Sequence, residues 1–272
     1  MNADFAIIGG TGVYDPALLE DSDSHIISTP YGDAKVTIGT YNGKRIAFMP
    51  RHGVSHSIPP HKINYRANIM ALKQIGVTQV FSTAAVGSLR RELRPGSLVV
   101  IDSFLDFTKT RTATFFDEYP VVHVDVSEPY CPRLREHLRI AGHQLGIHLH
   151  NGGTYVCTEG PRFETPAEIR MFQAMGGSVV GMTNVPEVVL AKEAELCYAT
   201  VCMVTNFGAG MTTQPVTHQE VIEEMGKNVE KIRRLFFHAI HQLTDDRECS
   251  CAHAVGGQTP LLGKTEKGGE SH

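Results

Sequence analysis

The sequence predicts a single α/β domain with a mixed, mostly parallel central sheet flanked by helices. Apolar runs bounded by glycine alternate with helical patterns along the chain, which is typical of parallel strands joined by helices. Asn42-Gly43 stands between two alternating stretches, a hairpin signal that adds an antiparallel element. No repeat or linker divides the body, so we expect one domain over residues 1–245 and a flexible, polar tail over 246–272.

Local signals place the elements in order. Period-two and continuous apolar runs predict strands at residues 5–9, 35–41, 45–49, 77–85, 97–105, 153–157, 178–182 and 198–205. Helical patterns predict helices at 63–75, 132–145, 166–174, 187–196 and from about 218 to 243. Gly76 and Gly146 stand just after two of these helices, where a left-handed residue ends a helix. Capping boxes starting at Thr165 and Thr217 open two others.

Charge and composition favour a small-molecule partner. There are 25 Lys and Arg residues against 29 Asp and Glu, so the net charge is −4, a poor match for nucleic acid or an anionic membrane. The first residues lack the basic start and apolar core of a signal peptide, and no apolar stretch is long enough to span a bilayer. We therefore expect a cytoplasmic protein that binds neither nucleic acid nor membrane.

Six scattered cysteines do not form a disulfide framework in a chain of this length. Four of them lie in apolar surroundings and are most simply core residues: Cys131, Cys157, Cys197 and Cys202. Cys249 and Cys251 form a close pair in the polar tail. A disulfide across one intervening residue is strained, and an unpaired pair in a flexible tail is an equally good interpretation.

Five loops that follow predicted strands carry the polar residues to which we assign the chemistry, because ligands bind at the carboxyl edge of an open α/β sheet. They contain "GGTG" at 9–12, "PRHG" at 50–53, "TAAVGSL" at 83–89, "EGPRFET" at 159–165, and "GMTNVPE" at 181–187 together with "VTNFG" at 204–208. Glycine turns, hydroxyls and a guanidinium are the groups that hold phosphate. Taken alone, each loop is equally a tight turn or a packing element.

The opening glycine turn does not match a nucleotide-binding loop. A dinucleotide fingerprint needs a third glycine three residues after the second, and a triphosphate loop needs a Gly-Lys-Ser/Thr ending. Neither is present after Gly12. The histidines at 52, 56 and 61 do not indicate a metal, because glycine and proline break the helical spacing and no carboxylate or thiolate completes the set. We expect no metal.

Several motifs together resemble a known family: "GGTG", "PRHG", "HKINYRANI", "TAAVGSL", "FLDFTKTR", "EGPRFETPAE", "GMTNVPE" and "AKEAELCYA". Over residues 5–243 the chain resembles the trimeric purine nucleoside phosphorylases, specifically the methylthioadenosine phosphorylase branch. The resemblance implies cleavage of a purine nucleoside by inorganic phosphate into free base and ribose 1-phosphate. It also implies that there is no cofactor, phosphate being a co-substrate, and that the protein is a homotrimer or a hexamer.

The resemblance implies a phosphate site made of hydrogen-bond donors: Thr11, Arg51, His52, Ala84, Ala85 and Thr183. The residue types suit an attacking phosphate, since hydroxyls, a guanidinium and backbone amides all donate. The loops lack the lysine and Mg²⁺ motif of phosphoryl transfer, so phosphate is interpreted as the nucleophile. The implied catalytic residues are Asn206, Glu164 and His52. The implied substrate contacts are Phe163, Glu164, Met182, Asn206, Phe207, Gly208, His123 and His218.

Two of these positions predict which class of purine base the protein binds. Adenine-specific members of the branch carry Asp in place of Asn206 and of Gly208, and Ser in place of Glu164. Ionised Glu164 only accepts hydrogen bonds, which suits the N1 proton of hypoxanthine and guanine and would face a bare acceptor in adenine. Asn206 both donates and accepts, so it serves purine N7 and O6 together. The pair predicts a 6-oxopurine. Individually, a helix N-terminal charge and a turn former remain alternatives.

The sequence constrains recognition of the 5′ end of the nucleoside less than it constrains recognition of the base. His218 stands where 6-oxopurine phosphorylases place a histidine for the 5′-hydroxyl, and it is equally interpretable as a solvent-facing residue at a helix start. The segment around His123 matches one that reaches the neighbouring subunit's 5′ pocket. Methylthioinosine or methylthioadenosine phosphorylase therefore stay open as alternatives, as does a non-enzymatic nucleotide-binding regulatory domain. A Rossmann dehydrogenase is disfavoured by the missing glycine and by the absent acid after the second strand.

Overall fold

The chain alternates strands and helices around one branched sheet. The computed structural model describes residues 2–9, 13, 18–53, 55, 57–118, 121–213 and 218–256, without the side chains of 218–222 and 227. Its strands are β1 (Phe5–Gly9), β2 (Glu20–Thr29), β3 (Gly32–Tyr41), β4 (Lys44–Pro50), β5 (Gln79–Ser88), β6 (Leu98–Val100), β7 (Ser103–Phe107), β8 (Leu149–Asn151), β9 (Thr154–Thr158), β10 (Val179–Gly181) and β11 (Cys197–Phe207). Its helices are α1 (Tyr65–Gln74), α2 (Pro132–Leu145), α3 (Pro166–Ala174), α4 (Asn184–Glu193) and α5 (His218–Gln242).

Strand β5 is the branch point of the sheet. It pairs in parallel with β1 through its first half and with β11 along its whole length, and antiparallel with β10 at its end. One arm continues from β1 through β4 to β3 and β2, and a second from β10 through β9 to β7. A third runs from β11 to β6 and β8. The mixed, mostly parallel sheet predicted from the sequence is confirmed.

The core lies on both faces of this sheet, so the central strands carry apolar side chains on both of their faces. Along β11, Ala199 and Val201 pack into the core beneath α2 and α5, whereas Tyr198 and Cys202 pack into the core beneath α1 and α4. This alternation has the period of two that a strand imposes. Helix α5 presents a stripe at i, i+3, i+4, i+7 and i+8 to the same core: Ile232, Leu235, Phe236, Ala239 and Ile240.

Local signals fixed most of the boundaries correctly. Gly146 and Gly76 follow α2 and α1 with φ of 66° and 88°, as C′ glycines do. Thr165 caps α3 reciprocally with Glu168, through bonds of 3.2 Å and 2.7 Å. Helix α1 begins two residues later than predicted because Asn64 caps it by accepting from Ala67 N–H at 3.1 Å.

Apart from the short strand β8, which was not predicted, two stretches differ from the prediction. Residues 97–105 form two strands, because the chain changes partners around Asp102: β6 pairs with β11 and β8, and β7 pairs with β9. Strand β2 was not predicted at all. Its residues are mostly polar and exposed, and among the described strands it pairs with β3 only, at the edge of the sheet. Both outcomes depend on pairing partners that are distant in sequence.

A flexible tail was predicted from residue 246 onwards, and this prediction is wrong for the residues up to 256. Residues 250–253 form a 3₁₀ turn, and Cys251 and Val255 are buried. Arg247 donates to the carbonyl of Glu195 at 2.8 Å, which ties this segment to the domain. Cys249 and Cys251 therefore do not lie in a flexible tail. Their sulfurs instead meet those of Cys131 and Cys197.

Other predictions fall on residues that the structure does not describe. The predicted disorder of 257–272 and the capping residue Thr217 lie outside the described residues. Within the described ranges, no helix is both long and apolar enough to cross a membrane.

Candidate active site

Three strands meet at Gly87, near the carboxyl ends of the parallel strands β5 and β11. In the ladders this residue of β5 is paired with Val180 of β10 on one side and with Asn206 of β11 on the other. A Cβ at Gly87 would lie 3.2 Å from Val180 Cγ1 and 3.3 Å from Asn206 Nδ2. The missing side chain thus lets the strands approach closely enough to bring the loop at 83–89 beside the loops at 181–187 and 204–208.

Arg51, directly after β4, is buried and already paired with a carboxylate. Its Nε and Nη2 donate to the two oxygens of Glu187 at 2.6 Å and 2.7 Å, a bidentate ion pair with both side chains out of solvent. Nη1 donates to Thr83 O at 2.8 Å and Nη2 to Ser82 Oγ at 2.6 Å. Counting partners among the described residues only, four of the five guanidinium protons are engaged and one on Nη1 remains.

Glu187, in the first turns of α4, holds the Arg51 guanidinium in place. It also accepts from Tyr198 OH at 2.6 Å. Burial by itself lowers the pKa of Arg51, and the charge and hydrogen bonds of Glu187 more than reverse that effect, so the pKa is raised. The fork that the sequence predicted for phosphate is therefore used mainly for Glu187. The pair fixes the end of β4 to β5 and α4.

The other described residues predicted for phosphate are His52, Ala84, Ala85 and Thr183. His52 follows Arg51 and its Nδ1 is 2.9 Å from Ile58 O, which makes Nδ1 the protonated nitrogen. Ala84 is buried and Ala85 partly exposed near the end of β5. Thr183 caps α4, and its N–H donates to Tyr155 OH at 3.3 Å. Thr11 lies outside the described residues.

Glu164 forms the second polar centre of the site, in the loop after β9. It is half-buried, and its Oε1 accepts from Thr158 Oγ1 at 2.7 Å. Burial raises the pKa of this carboxyl, and the hydrogen bond from Thr158 opposes the shift. Thr158 Oγ1 also lies 3.4 Å from Gly181 O, which brings Glu164 to the end of β10.

Met182 connects the two polar centres, since it directly precedes Thr183 in the chain. The loop after β9 packs closely on this side chain, since a Cβ at Gly160, which has φ of +67°, would come within 2.6 Å of Met182 Sδ. Phe163, in the same loop, is 42% exposed. Core packing, the ordinary role of a phenylalanine, therefore does not apply to Phe163.

Asn206 is presented by an irregularity in β11. The ladder with β5 shifts register between Val204 and Asn206, which places an extra residue there and re-aims the side chains that follow. Asn206 is buried; its Oδ1 accepts from Thr205 Oγ1 at 2.8 Å and its Nδ2 donates to Phe207 O at 2.9 Å. Gly208 follows, with its N–H donating to Ser88 O at 2.8 Å.

The structure does not join His123 to this site, and it does not describe the side chain of His218. His123 is exposed in an irregular segment between residues 121 and 131, beside Val121, which is 68% exposed. The side chain of His218, at the start of α5, lies outside what the structure describes.

Two residues that organise the site were not predicted from the sequence. Glu187 is one; an acid inside the apolar stretch "NVPEVVLA" was a usable signal, because a fully buried carboxylate needs a partner. Arg111 is the other, and its side chain is 2% exposed. It donates to Val185 O at 2.6 Å and to Glu159 O at 2.8 Å, and so joins the loop after β9 to α4. No local sequence pattern indicated a role for Arg111.

The arrangement has two chemically distinct ends. Around β4, β5 and α4 lie a guanidinium, an imidazole, a threonine and backbone amides, which suit an anion. Around β9 and β11 lie a carboxylate and a primary amide, which suit the edge of a planar polar ring.

A single α/β domain with these two groups along one sheet edge is a nucleoside phosphorylase-like enzyme. The chain belongs to the Phosphorylase superfamily, whose family model matches residues 4–241. It is 54% identical over 252 residues to a protein of Dictyoglomus turgidum named "Probable 6-oxopurine nucleoside phosphorylase", covering 92% of this chain and 95% of the relative.

Two further similarities point to the same branch. A protein of Methanothermobacter thermautotrophicus named "Probable S-methyl-5′-thioinosine phosphorylase" is 49% identical, over 92% of this chain and 88% of the relative. The crystal structure of a methylthioadenosine phosphorylase from an antarctic soil metagenomic library superimposes with a TM-score of 0.89 at 37% identity, over 94% of this chain and 91% of that one.

Proposed function

We propose that this protein is a purine nucleoside phosphorylase that cleaves inosine and guanosine with inorganic phosphate. The observation that carries the proposal is the pair of base-reading side chains: the half-buried carboxylate Glu164, oriented by Thr158, and the amide Asn206, presented by the irregularity in β11. The name of the Dictyoglomus turgidum relative agrees with this substrate class.

The base is recognised through complementary donors and acceptors. Glu164 accepts from N1–H, and from the 2-amino group when the base is guanine, while the Nδ2 proton of Asn206 that does not bond Phe207 O donates to N7. Adenine has no proton on N1, so it would leave the carboxylate unpaired. A mismatch of this kind at a polar site discriminates by roughly 10⁴-fold.

Phosphate binds at the opposite end of the site. Arg51 contributes its remaining Nη1 proton, and Glu187 keeps the guanidinium from turning. His52 meets phosphate through Nε2, since its Nδ1 bonds Ile58 O. Thr183, Thr11 and the backbone of Ala84 and Ala85 complete the set. Phosphate is thereby held as a nucleophile beneath the ribose, against which Met182 packs.

The reaction exchanges one bond at C1′ of the ribose. The C1′–N9 bond breaks as its electron pair moves into the purine, and a phosphate oxygen forms the new bond to C1′ of the oxocarbenium-like ribose. Negative charge builds on the departing base, and the Asn206 amide stabilises it at N7. The base takes up a proton on leaving, giving free hypoxanthine or guanine and ribose 1-phosphate.

We further infer a cytoplasmic homotrimer that uses no cofactor. The exposed segment around His123 carries exposed apolar side chains, Val121 and Val126, and it suits a subunit contact through which His123 reaches the neighbour's 5′ pocket. A 5′-methylthio substrate is the second candidate. It is favoured by the Methanothermobacter relative's name, and it keeps the same mechanism and the same base site.

A substrate panel tests the proposal. Purified protein is incubated with phosphate and, separately, inosine, guanosine, adenosine, methylthioinosine or methylthioadenosine, and release of base is followed. We expect inosine and guanosine to be cleaved only when phosphate is present. Faster cleavage of adenosine or methylthioadenosine than of inosine would contradict the base assignment. Tight nucleoside binding without phosphate-dependent release would indicate a regulatory domain instead.

A further inference from the structure

Four cysteine sulfurs converge at the end of the molecule opposite the active site. All of them lie within 4.8 Å of one another, and we call them the four-cysteine cluster: Cys131, Cys197, Cys249 and Cys251. Cys197 begins β11 and Asn206 lies near its other end, nine residues away. At a rise of about 3.3 Å per residue, roughly 30 Å of strand separate the cluster from the base-reading amide.

The spacing of the sulfurs is that of a tetrahedral ligand set. With Zn–S bonds of about 2.3 Å, tetrahedral geometry places sulfurs roughly 3.8 Å apart. In the structure Cys131 Sγ lies 3.7 Å from Cys249 Sγ, and Cys197 Sγ lies 3.3 Å from Cys249 Sγ. Three of the four side chains are buried and Cys249 is half-buried, so the site is closed, as structural zinc sites are.

These sulfurs come from three separate segments of the chain. Hydrogen bonds that do not involve the sulfurs hold these segments in place. Cys131 caps the N-terminus of α2, where the helix dipole favours a thiolate, and its N–H donates to Tyr198 O at 2.8 Å. Arg133 of the same helix donates to Thr244 O at 3.0 Å, and Arg247 to Glu195 O at 2.8 Å. These bonds carry the chain after α5 back to the sheet, directly before Cys249.

We propose that the four-cysteine cluster binds one zinc ion as a structural site. Zn²⁺ displaces the four thiol protons and is held by four thiolates, with a net charge of −2 and no change of oxidation state. No step of the proposed phosphorolysis uses these sulfurs. The ion joins the C-terminal segment to α2 and β11, and its binding energy adds to the stability of the fold.

The first test measures metal content under reduction. The untagged protein is stripped with a chelator in the presence of a phosphine reductant, supplied with Zn²⁺, dialysed, and assayed for zinc and iron. We expect one zinc per chain. In Co²⁺-loaded protein we expect the intense visible absorption of a tetrahedral thiolate site. Absence of zinc after refilling, or iron in its place, would overturn the proposal.

Matched variants separate metal binding from general effects on the fold. Cys197→Ala removes a ligand, and Cys202→Ala removes an equally buried cysteine of the same strand. Cys249→Ser is the variant most certain to fold, since Cys249 is half-buried at the start of a turn. We expect zinc affinity to fall at least about 10- to 100-fold in the two ligand variants, the loss that even an outer-shell partner causes, and to be unchanged in Cys202→Ala.

Thiol counting distinguishes zinc from disulfides. In denaturant with chelator and no reductant, a zinc site leaves all six cysteines reactive towards an alkylating agent. Pairing of the cluster into disulfides would leave only Cys157 and Cys202 reactive and would contradict the proposal. Hydrogen exchange adds a second readout, because stripping zinc should increase exchange in residues 247–256 and leave the carboxyl end of β11 unchanged.

Discussion

At the scale of single residues, the site is defined by what each polar group can donate or accept. Glu164 is oriented by Thr158 and can only accept when ionised, whereas Asn206 has one amide proton bonded to Phe207 O and a second for a ligand. In the proposed site, these two side chains of different hydrogen-bonding character would select the purine, and each can be changed without a change in size.

Asn206→Asp replaces the donor at N7 with an acceptor of the same shape. We expect kcat for inosine to fall about 10²-fold or more, the usual cost of removing one donor that stabilises a developing charge, and adenosine to become a relatively better substrate. Steady-state kinetics with both nucleosides measures the effect. Asn151→Asp, at an exposed site on β8, is the charge control. Unchanged specificity would show that Glu164 or the loop geometry selects the base.

Glu164→Gln tests the protonation state of the carboxyl. Because burial raises the pKa of Glu164, the carboxylate needed to accept from N1–H is lost at a higher pH than for an ordinary glutamate. At saturating phosphate, kcat/KM for inosine should be full above that pKa and fall as pH drops through it. The variant should lack this acid limb and have lower activity throughout.

Glu168→Gln is the control for that profile. Hydrogen bonds from Arg162 and Thr165 lower the pKa of Glu168 to about 2, so this carboxyl stays ionised across the assay range. The Glu168→Gln variant should therefore retain the fall of kcat/KM at low pH. If the fall of kcat/KM at low pH persists in Glu164→Gln, a group other than Glu164 is titrating.

At the scale of elements, the Arg51–Glu187 pair connects the end of β4 with β5 and α4. Each side chain is almost completely buried, so each charge depends on the other for compensation. The pair thereby fixes the geometry around the proposed phosphate position, and its integrity should be visible in both stability and phosphate affinity.

Glu187→Gln leaves Arg51 buried without a counter-charge. We expect the free energy of unfolding to fall by about 3–5 kcal/mol in urea titrations without phosphate. Phosphate should restore more stability to this variant than to the parent, because the anion supplies the missing charge. Glu193→Gln is the matched control, because Glu193 is buried in the same helix and its bonds within the described part of the chain come from neutral donors, Thr114 Oγ1 and Phe115 N, at 2.7 Å each. Equal losses in the two variants would contradict the role of the charge.

At the scale of the whole molecule, we expect a trimer of 29.8 kDa chains. Val121→Asp places a charge in the exposed segment beside His123. It should break the trimer in analytical ultracentrifugation and raise KM for inosine, because the neighbour's 5′ pocket loses His123. Ile26→Asp, on the edge strand β2 and 71% exposed, is the control. A monomeric parent chain with full activity would refute the arrangement.

The sequence allowed the fold class and most element positions to be predicted, because those depend on local spacing. The C′ glycines, the capping box at Thr165 and the Asn42-Gly43 hairpin all act over a few residues. Strand β2 and the division of residues 97–105 could not be predicted, since both depend on partners far away in the chain. The base-reading residues were chosen by chemistry and by resemblance, and their roles remain proposals.

The amino-acid sequence alone establishes the kind of contact that each residue can make. An acceptor-only Glu164 and a donor–acceptor Asn206 already favour a class of base, because hydrogen-bonding capacity belongs to the side chain. Which groups meet depends on the three-dimensional fold. It turned the Arg51 fork towards Glu187, and it brought a cysteine pair assigned to a flexible tail against Cys131 and Cys197. Such contacts join segments dozens of residues apart, and they form only when sheet pairing and core burial set the distances.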